Sequence, residues 1–273
     1  MSVKTMPVWK WVLLLLASLF LAINMYGGVQ YALEVTQPHW LKCLVAVGSS
    51  VAMLLLYALF VRWFEKKPAQ DIPLQRIVPD TGKGLGYGAL YMAAVTLVMM
   101  LFGFYRSAEV HSGIALPLVT AFSHFLMVAV AEEILFRGIL FRWIDEKWGF
   151  PIALVISALI FGAVHWGQPG ATWWSSLAIA VEAGLLLGAA YKMAGNLWLP
   201  IGIHWAWNFV QGNIFGFEVS GSDAGESLLK ASVEGPEIFT GGAFGAEASL
   251  IAFLLGLAMS IWFIIRCSKL QKA

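Results

Sequence analysis

The feature that most constrains this chain is a series of eight apolar runs, each about as long as a membrane-crossing helix. Roughly 20 mainly apolar residues are needed to span a hydrocarbon core about 30 Å thick. The runs cover residues 11–33, 40–61, 86–105, 115–141, 150–166, 172–191, 197–214 and 246–265. The sequence therefore predicts an all-α fold, a polytopic membrane bundle of eight transmembrane helices, in which the fourth continues to Lys147.

Composition supports the membrane assignment and excludes one class of partner. The chain is 60% hydrophobic and 12% charged, whereas charged residues make up about a quarter of an average soluble domain. The net charge of +1 offers no basic excess for neutralising a phosphate backbone, so nucleic-acid binding is not expected. We expect an integral membrane protein whose surroundings are the lipid bilayer.

The distribution of Lys and Arg predicts the orientation of the bundle. With eight crossings both termini lie on one side, and basic residues concentrate on the cytoplasmic side. The other side has Lys42, Arg106 and Lys230. The N-terminal side has Lys4, Lys10, Arg62, Lys66, Lys67, Arg76, Lys83, Arg142, Lys147, Lys192, Arg266, Lys269 and Lys272. Both termini are therefore predicted to be cytoplasmic, a pattern compatible with a bacterial inner membrane.

The organisation of the chain is simple. We find no repeat and no second domain, so residues 1–273 are expected to form one integral membrane domain. The first run is kept as a helix, because no small-residue cleavage site of a signal peptide follows it. The segment from Phe215 to Gly245 is Gly-rich and acidic and is expected to be an exposed loop on the outer side.

The fourth run carries three charged residues, Glu132, Glu133 and Arg137. A charge inside a spanning helix costs a few kcal/mol, so each needs a partner, a hydrated cavity or a function. Glu133 and Arg137 are i,i+4 neighbours and form the natural ion pair, as structural support. Glu132 lies about 140° from Arg137 around the helix and has no local counter-ion, as expected for a general base or a ligand.

Two further polar motifs lie in later runs. His165 ends the sequence Phe161 to His165 in the fifth, and His204 and Asn208 share a helix face in the seventh. An imidazole and a carboxamide at i,i+4 spacing can direct two donors at one oxyanion. At about 1.5 Å per residue, Glu132 and these three residues fall at comparable depth and are expected to line one cavity.

This set of groups favours hydrolysis by activated water, because none of these motifs places a Ser or Cys beside a His. In one version Glu132 takes a proton from water, His165 orients the water or shares the base role, and His204 with Asn208 stabilises the oxyanion. In the other, Glu132, His165 and His204 hold a zinc ion that lowers the pKa of bound water. The residues leave the cofactor open, although we favour the metal-free version.

The three motifs together resemble those of a known family, the CAAX protease and bacteriocin-processing (CPBP, or Abi) intramembrane proteases, which are related to type II CAAX prenyl endopeptidases. Its marks are E-E-x-x-x-R, F-x-x-x-H and H-x-x-x-N on successive membrane helices, and they match Glu132–Arg137, Phe161–His165 and His204–Asn208 here. The resemblance covers about residues 115–214, the expected catalytic core. It implies catalytic roles for Glu132, His165, His204 and Asn208, in an endopeptidase acting on a membrane-associated peptide or protein.

Two other functions compete with this one. A non-catalytic membrane immunity or scaffold protein would keep the polar cluster for structure alone. A proton-coupled transporter would favour inverted repeats, which the sequence lacks, and therefore ranks last. His124 in the fourth run and Glu182 in the sixth are expected to make interhelical hydrogen bonds, although His124 also has the helical position to border the cavity.

Overall fold

The computed structural model describes residues 6–36 and 38–270; residues 1–5, 37 and 271–273, with Lys4 and Lys272, lie outside the described part. The α-helices are α1 (Val8–Val35), α2 (His39–Phe60), α3 (Ile77–Leu101), α4 (Ala115–Glu133), α5 (Arg142–Trp148), α6 (Phe150–Val164), α7 (Trp173–Ile179), α8 (Leu186–Ala194), α9 (Trp198–Phe209), α10 (Glu237–Thr240) and α11 (Leu250–Leu270). Stretches of π-helix extend or join several of them: Val61–Glu65, Ile134–Phe141, Ala180–Leu185 and Val210–Ile214. The chain is an all-α polytopic membrane bundle, as the sequence predicts.

Within the described residues, seven helical segments are long and apolar enough to cross a membrane. They are Val8–Val35, His39–Glu65, Leu74–Leu101, Ala115–Trp148, Phe150–Gly167, Trp173–Ala194 and Leu250–Lys269. The fourth is continuous to Trp148, in agreement with the prediction of one long helix. The predicted eighth crossing, residues 197–214, forms α9 and its π-helical extension to Ile214, but this helix is too short to be one of the seven.

Helix α9 nevertheless runs beside α3 through the middle of the bundle. Built Cβ atoms at Gly84 and Gly88 would lie 2.4 Å from the backbone oxygen of Leu199 and 2.3 Å from that of Ile203. No side chain fits in these gaps, so glycine allows the two backbones to approach this closely. Because α9 is in contact with α3 along this face, its motif residues are held at a fixed position in the bundle.

The third helix begins earlier than the sequence predicts. The expected span was 86–105, whereas the helical segment runs from Leu74 to Leu101. Asp80 and Lys83 and a series of glycines make its first half resemble a loop. Tertiary packing overrides this low helix propensity, because Gly84 and Gly88 serve the contact with α9.

The segment from Phe215 to Gly245 is more ordered than an exposed loop. Strand β2 (Leu229–Val233) pairs with β1 (Tyr105–Val110) as a two-stranded antiparallel sheet, in which Tyr105 lies opposite Val233. Helix α10 follows, and Phe217 and Phe244 are buried at 5% and 1% exposure. The prediction of an exposed loop is wrong here, because aromatic side chains anchor the segment on the bundle.

Candidate active site

Glu133 and Arg137 form a buried ion pair in the long fourth segment. Nη1 of Arg137 donates to Oε1 of Glu133 at 2.8 Å, and both side chains are almost fully buried. The contact has the i,i+4 spacing expected from the sequence. Glu133 is the last residue of α4, and the π-helix that follows begins at Ile134. Such local widening of a helix occurs frequently at functional sites.

Two more contacts compensate the buried guanidinium of Arg137. Nη2 donates to the backbone oxygen of Ala183 at 2.7 Å, and the guanidinium carbon lies 4.7 Å from the ring centre of Phe161. Removing an ion from water costs several kcal/mol, so a buried pair is tolerated when further hydrogen bonds satisfy it. Arg137 therefore connects its own helix with the elements carrying Phe161 and Ala183.

His204 lies between the two neighbouring glutamates. Its Nδ1 is 3.0 Å from Oε1 of Glu133, the oxygen that also accepts from Arg137. Because a carboxylate accepts, this contact places a proton on Nδ1. Nε2 is directed toward the second glutamate and lies 3.9 Å from Oε2 of Glu132.

Glu132 is the accessible member of the glutamate pair. Its side chain is 21% exposed, against 0% for Glu133. Within the described part of the chain, Oε2 of Glu132 has no hydrogen-bond partner. The 3.9 Å between this oxygen and Nε2 of His204 is too long for a direct hydrogen bond, so the carboxylate and the imidazole are unbonded neighbours in the cavity wall.

His165 follows the last residue of α6 and is buried. Its Nδ1 donates to the backbone oxygen of Phe161 at 2.7 Å. Since a carbonyl oxygen only accepts, Nε2 is the basic nitrogen of the neutral ring. The Phe161 ring packs against the imidazole, with 4.7 Å between ring centres. The F-x-x-x-H motif thus fixes the orientation of its histidine.

Asn208 lies one helical turn after His204 on α9 and is 9% exposed. Among the described residues it has no side-chain hydrogen-bond partner, although it lines the same cavity as His204. Its amide atoms are not among the fully buried unpartnered atoms, so they are open to the cavity. The carboxamide therefore faces the cavity without a partner among the described side chains.

The cavity that these four side chains line has a volume of about 780 Å³. Its wall also includes the second half of α1, the start of α2 and the loop after α9, so it extends beyond residues 115–214. The other polar residues of the wall are Tyr26, Gln30, Glu34, His39, Lys42, Thr120, His124, Gln168, Asn213, Ser220, Ser222, Asp223 and Glu226. The structure thus brings Glu132, His165, His204 and Asn208 to one polar cavity.

Glu247 holds the part of the loop that contributes Ser220 to the cavity wall. Its Oε1 accepts from the backbone nitrogen of Ser220 at 2.5 Å and from the hydroxyl at 3.0 Å. Ser220 has a φ of 50°, a left-handed conformation that is uncommon for a residue with a side chain. Burial raises the pKa of Glu247 to about 7, although the bonds from Ser220 act in the opposite direction.

The two weaker sequence candidates have different positions. Tyr91 donates to Oε2 of Glu182 at 2.8 Å, the interhelical hydrogen bond expected for Glu182. His124 has no side-chain hydrogen bond within the described residues, so that expectation is wrong for it. It lines the cavity instead, on the face of α4 that its helical position relative to Glu132 indicates.

The side chains proposed as zinc ligands do not form a ready metal site. In the described ranges 6–36 and 38–270, no three His, Cys, Asp or Glu side chains lie close enough together to hold a metal ion. Nε2 of His204 and Oε2 of Glu132 are 3.9 Å apart, a separation that two zinc bonds of about 2.0–2.2 Å can join, but no third described side chain completes the set. The described residues therefore do not fit the three-ligand version.

The structure thus combines a helical membrane bundle with a polar cavity that is lined by a carboxylate, two imidazoles and a carboxamide. Residues 113–210 match the family described as Rce1-like, type II CAAX prenyl endopeptidase Rce1-like. This stretch, from just before α4 to the end of α9, is similar to the CAAX protease family, and the resemblance seen in the motifs is confirmed. The family implies protease activity. No curated protein and no solved structure matches the chain.

The sequence predicted that Glu133 pairs with Arg137 alone, and the contact of Glu133 with His204 was missed. A motif shows spacing along one helix and gives no distance to another, so this link between α4 and α9 had no sequence signal. Glu247 and Ser220 were missed because the loop was expected to be exposed. An acidic residue at the start of an apolar run was the one available hint.

Proposed function

We propose that this protein is an intramembrane endopeptidase that hydrolyses a peptide bond of a membrane-associated peptide or protein. The observation that carries the proposal is the unpartnered carboxylate oxygen of Glu132, 3.9 Å from Nε2 of His204, in a cavity that also contains His165 and Asn208. A carboxylate beside a fixed imidazole is an arrangement that activates water for attack on a carbonyl.

In the first step a water molecule between Glu132 and His204 attacks the carbonyl carbon of the scissile bond. Its proton passes to Glu132 as the new carbon–oxygen bond forms and the carbonyl becomes a tetrahedral oxyanion. The carboxamide N–H of Asn208 donates to that oxygen, and so does Nε2–H of His204 when the ring is protonated. Donors already in place at the developing charge are commonly the largest single contribution to such catalysis.

In the second step the carbon–nitrogen bond breaks and the departing amine takes the proton held by Glu132. The products are a carboxylic acid and an amine, so all atoms of the water are accounted for. His165, with Nδ1 held by Phe161, presents a basic nitrogen that orients the water or shares the proton transfer. Glu133 holds His204 in the tautomer with a proton on Nδ1.

The cavity opens at the end of the bundle opposite most of the basic residues. Its mouth includes Glu34, Lys42 and Glu226, while Arg62 and Lys192 mark the other end. Because basic residues concentrate in cytoplasmic loops, we propose that substrate reaches the site from the non-cytoplasmic side of a bacterial inner membrane.

This orientation is tested in a background from which Cys43 and Cys267 have been removed. A single cysteine is then introduced, either as Asp223→Cys or as Arg62→Cys. A membrane-impermeant thiol reagent added to intact cells should label the first and spare the second.

The activity itself is tested with purified protein and a panel of prenylated and unprenylated peptides, each with and without a chelator. We expect cleavage that Glu132→Gln and His165→Ala abolish without unfolding the protein, and that chelator leaves unchanged. Loss of activity with chelator would favour the zinc version. Unchanged cleavage by both variants would contradict the proposal, and unchanged biological activity of Glu132→Gln would favour an immunity or scaffold protein.

A further inference from the structure

A second cavity, of about 420 Å³, lies between the start of α3 and the end of α11, away from the candidate active site. Four cationic side chains line it: Arg76, Lys83, Arg266 and Lys269. We name this cavity the basic groove. We propose that it binds the phosphate of an anionic phospholipid headgroup, a site independent of the proposed peptidase activity.

The charge balance of the groove favours an anionic ligand. Asp80 is its one carboxylate lining residue in the described part of the chain, and its side chain is 4% exposed. Arg76 contacts it at 2.9 Å, and Asn196 donates to it at 2.8 Å. Asp80 is thus buried and already paired, whereas Arg266 and Lys269 have no carboxylate within ion-pair distance among the described residues. A surplus of positive charge remains for a ligand.

The groove also has an aromatic and apolar wall. The guanidinium of Arg266 lies 5.4 Å from the ring centre of Trp262, and Tyr87 packs edge-on against the same indole. Trp and Arg side chains at the end of a membrane helix lie at headgroup level. Trp262 is 38% exposed, so the groove is open to the surface of the bundle at this depth.

The surface next to the groove distinguishes a lipid from a free phosphate ion. Ile261 and Ile265 on α11 and Leu90 on α3 are exposed at 49%, 48% and 69%. In a membrane these side chains face acyl chains. The headgroup phosphate of a phospholipid would pair with the cations, and its acyl chains would contact this apolar surface. Basic pockets between membrane helices on the cytoplasmic side are known to bind such headgroups.

The test measures binding by the full-length protein in neutral detergent, with native mass spectrometry as the readout. Phosphatidylglycerol, phosphatidylcholine and inorganic phosphate are titrated separately at one ionic strength. We expect one phosphatidylglycerol to bind in preference to phosphatidylcholine. Removing one cation weakens binding by about fivefold. The affinity for phosphatidylglycerol should therefore fall about fivefold in Lys269→Gln and about 25-fold in the Arg266→Gln, Lys269→Gln double variant.

The matched control is Arg62→Gln, an exposed cation at the same end of the bundle that does not line the groove. It should bind phosphatidylglycerol as the wild type does. Equal binding of phosphatidylglycerol by wild type and double variant, or an equal loss in the control, would overturn the proposal. Inorganic phosphate as tight as the lipid would also overturn it in favour of a free-anion site. Because no outcome depends on peptide cleavage, failure here is separate from failure of the proposed function.

Discussion

His204 and Glu133, which lie on different helices, are joined by a contact of 3.0 Å between Nδ1 and Oε1. The same oxygen accepts from Arg137 at 2.8 Å. Glu133 therefore has two effects, since it compensates a buried cation and fixes the orientation of an imidazole. The other nitrogen of that imidazole is consequently held toward Glu132 and the cavity.

Glu133→Gln should destabilise the protein strongly. The glutamine keeps the size of the side chain but leaves the buried Arg137 without its counter-charge, a change that costs about 3–5 kcal/mol. Denaturant unfolding in detergent measures the free energy directly. Glu109→Gln is the control. Glu109 forms an ion pair with Lys230 at 3.4 Å, and both side chains are exposed, so the pair contributes about 0–1 kcal/mol. Equal losses in both variants would contradict the role given to Glu133.

Asn208→Leu should lower kcat while leaving stability nearly unchanged. Its carboxamide has no hydrogen-bond partner in the described part of the chain, so folding loses little, whereas the oxyanion loses a donor. The loss of one such donor reduces kcat by about 10²–10³-fold. Steady-state kinetics on the best peptide substrate measures this. The control is Asn24→Leu, at an exposed position, which should keep the wild-type kcat. A wild-type kcat for Asn208→Leu would rule out the oxyanion role.

Gly84→Ala should destabilise the contact between α3 and α9. A Cβ at Gly84 would lie 2.4 Å from the backbone oxygen of Leu199, and overpacking of this kind costs about 1–3 kcal/mol. Gly86→Ala is a matched control on the same helix, because nothing lies within 4 Å of its built Cβ. It should be neutral or stabilising by up to about 1 kcal/mol. Thermal unfolding distinguishes them, and equal Tm values would show that the helices do not pack this closely.

Stability should fall as the pH rises from about 4.5 to about 7. Burial raises the pKa of Glu247 from 4.5 to about 7, so in this window the folded protein binds a proton that the unfolded chain has released. The contribution is present in full below the lower value and is lost as pH passes the higher one. It amounts to about 3 kcal/mol at most.

Glu247→Gln should remove this component, so the difference in unfolding free energy between variant and wild type should change across the window. The exposed Glu234→Gln should run parallel to the wild type at every pH. Parallel curves for Glu247→Gln as well would mean that Glu247 does not carry the proton.

The sequence predicted the membrane bundle, and the four candidate side chains it named line one cavity. Apolar run length predicted the membrane segments, and helical spacing predicted the pairing of Glu133 with Arg137. Contacts between elements were not predictable, because spacing along one helix carries no information about its neighbour. The predicted start of α3 was wrong for a related reason. Glycines such as Gly84 weaken an isolated helix, but the contact of α3 with α9 requires them. Burial of Phe217 and Phe244 likewise depends on the bundle surface beneath them.

The proposed role of Glu132 is that of the base which activates water. Its most direct test is the single-turnover cleavage rate of Glu132→Gln, in a preparation with wild-type Tm, beside Glu34→Gln at the mouth of the same cavity. Loss of a positioned general base lowers the rate by about 10²–10⁴-fold, so Glu132→Gln should fall to that extent and Glu34→Gln should keep turning over. A Glu132→Gln protein that cleaves at the wild-type rate would contradict the account.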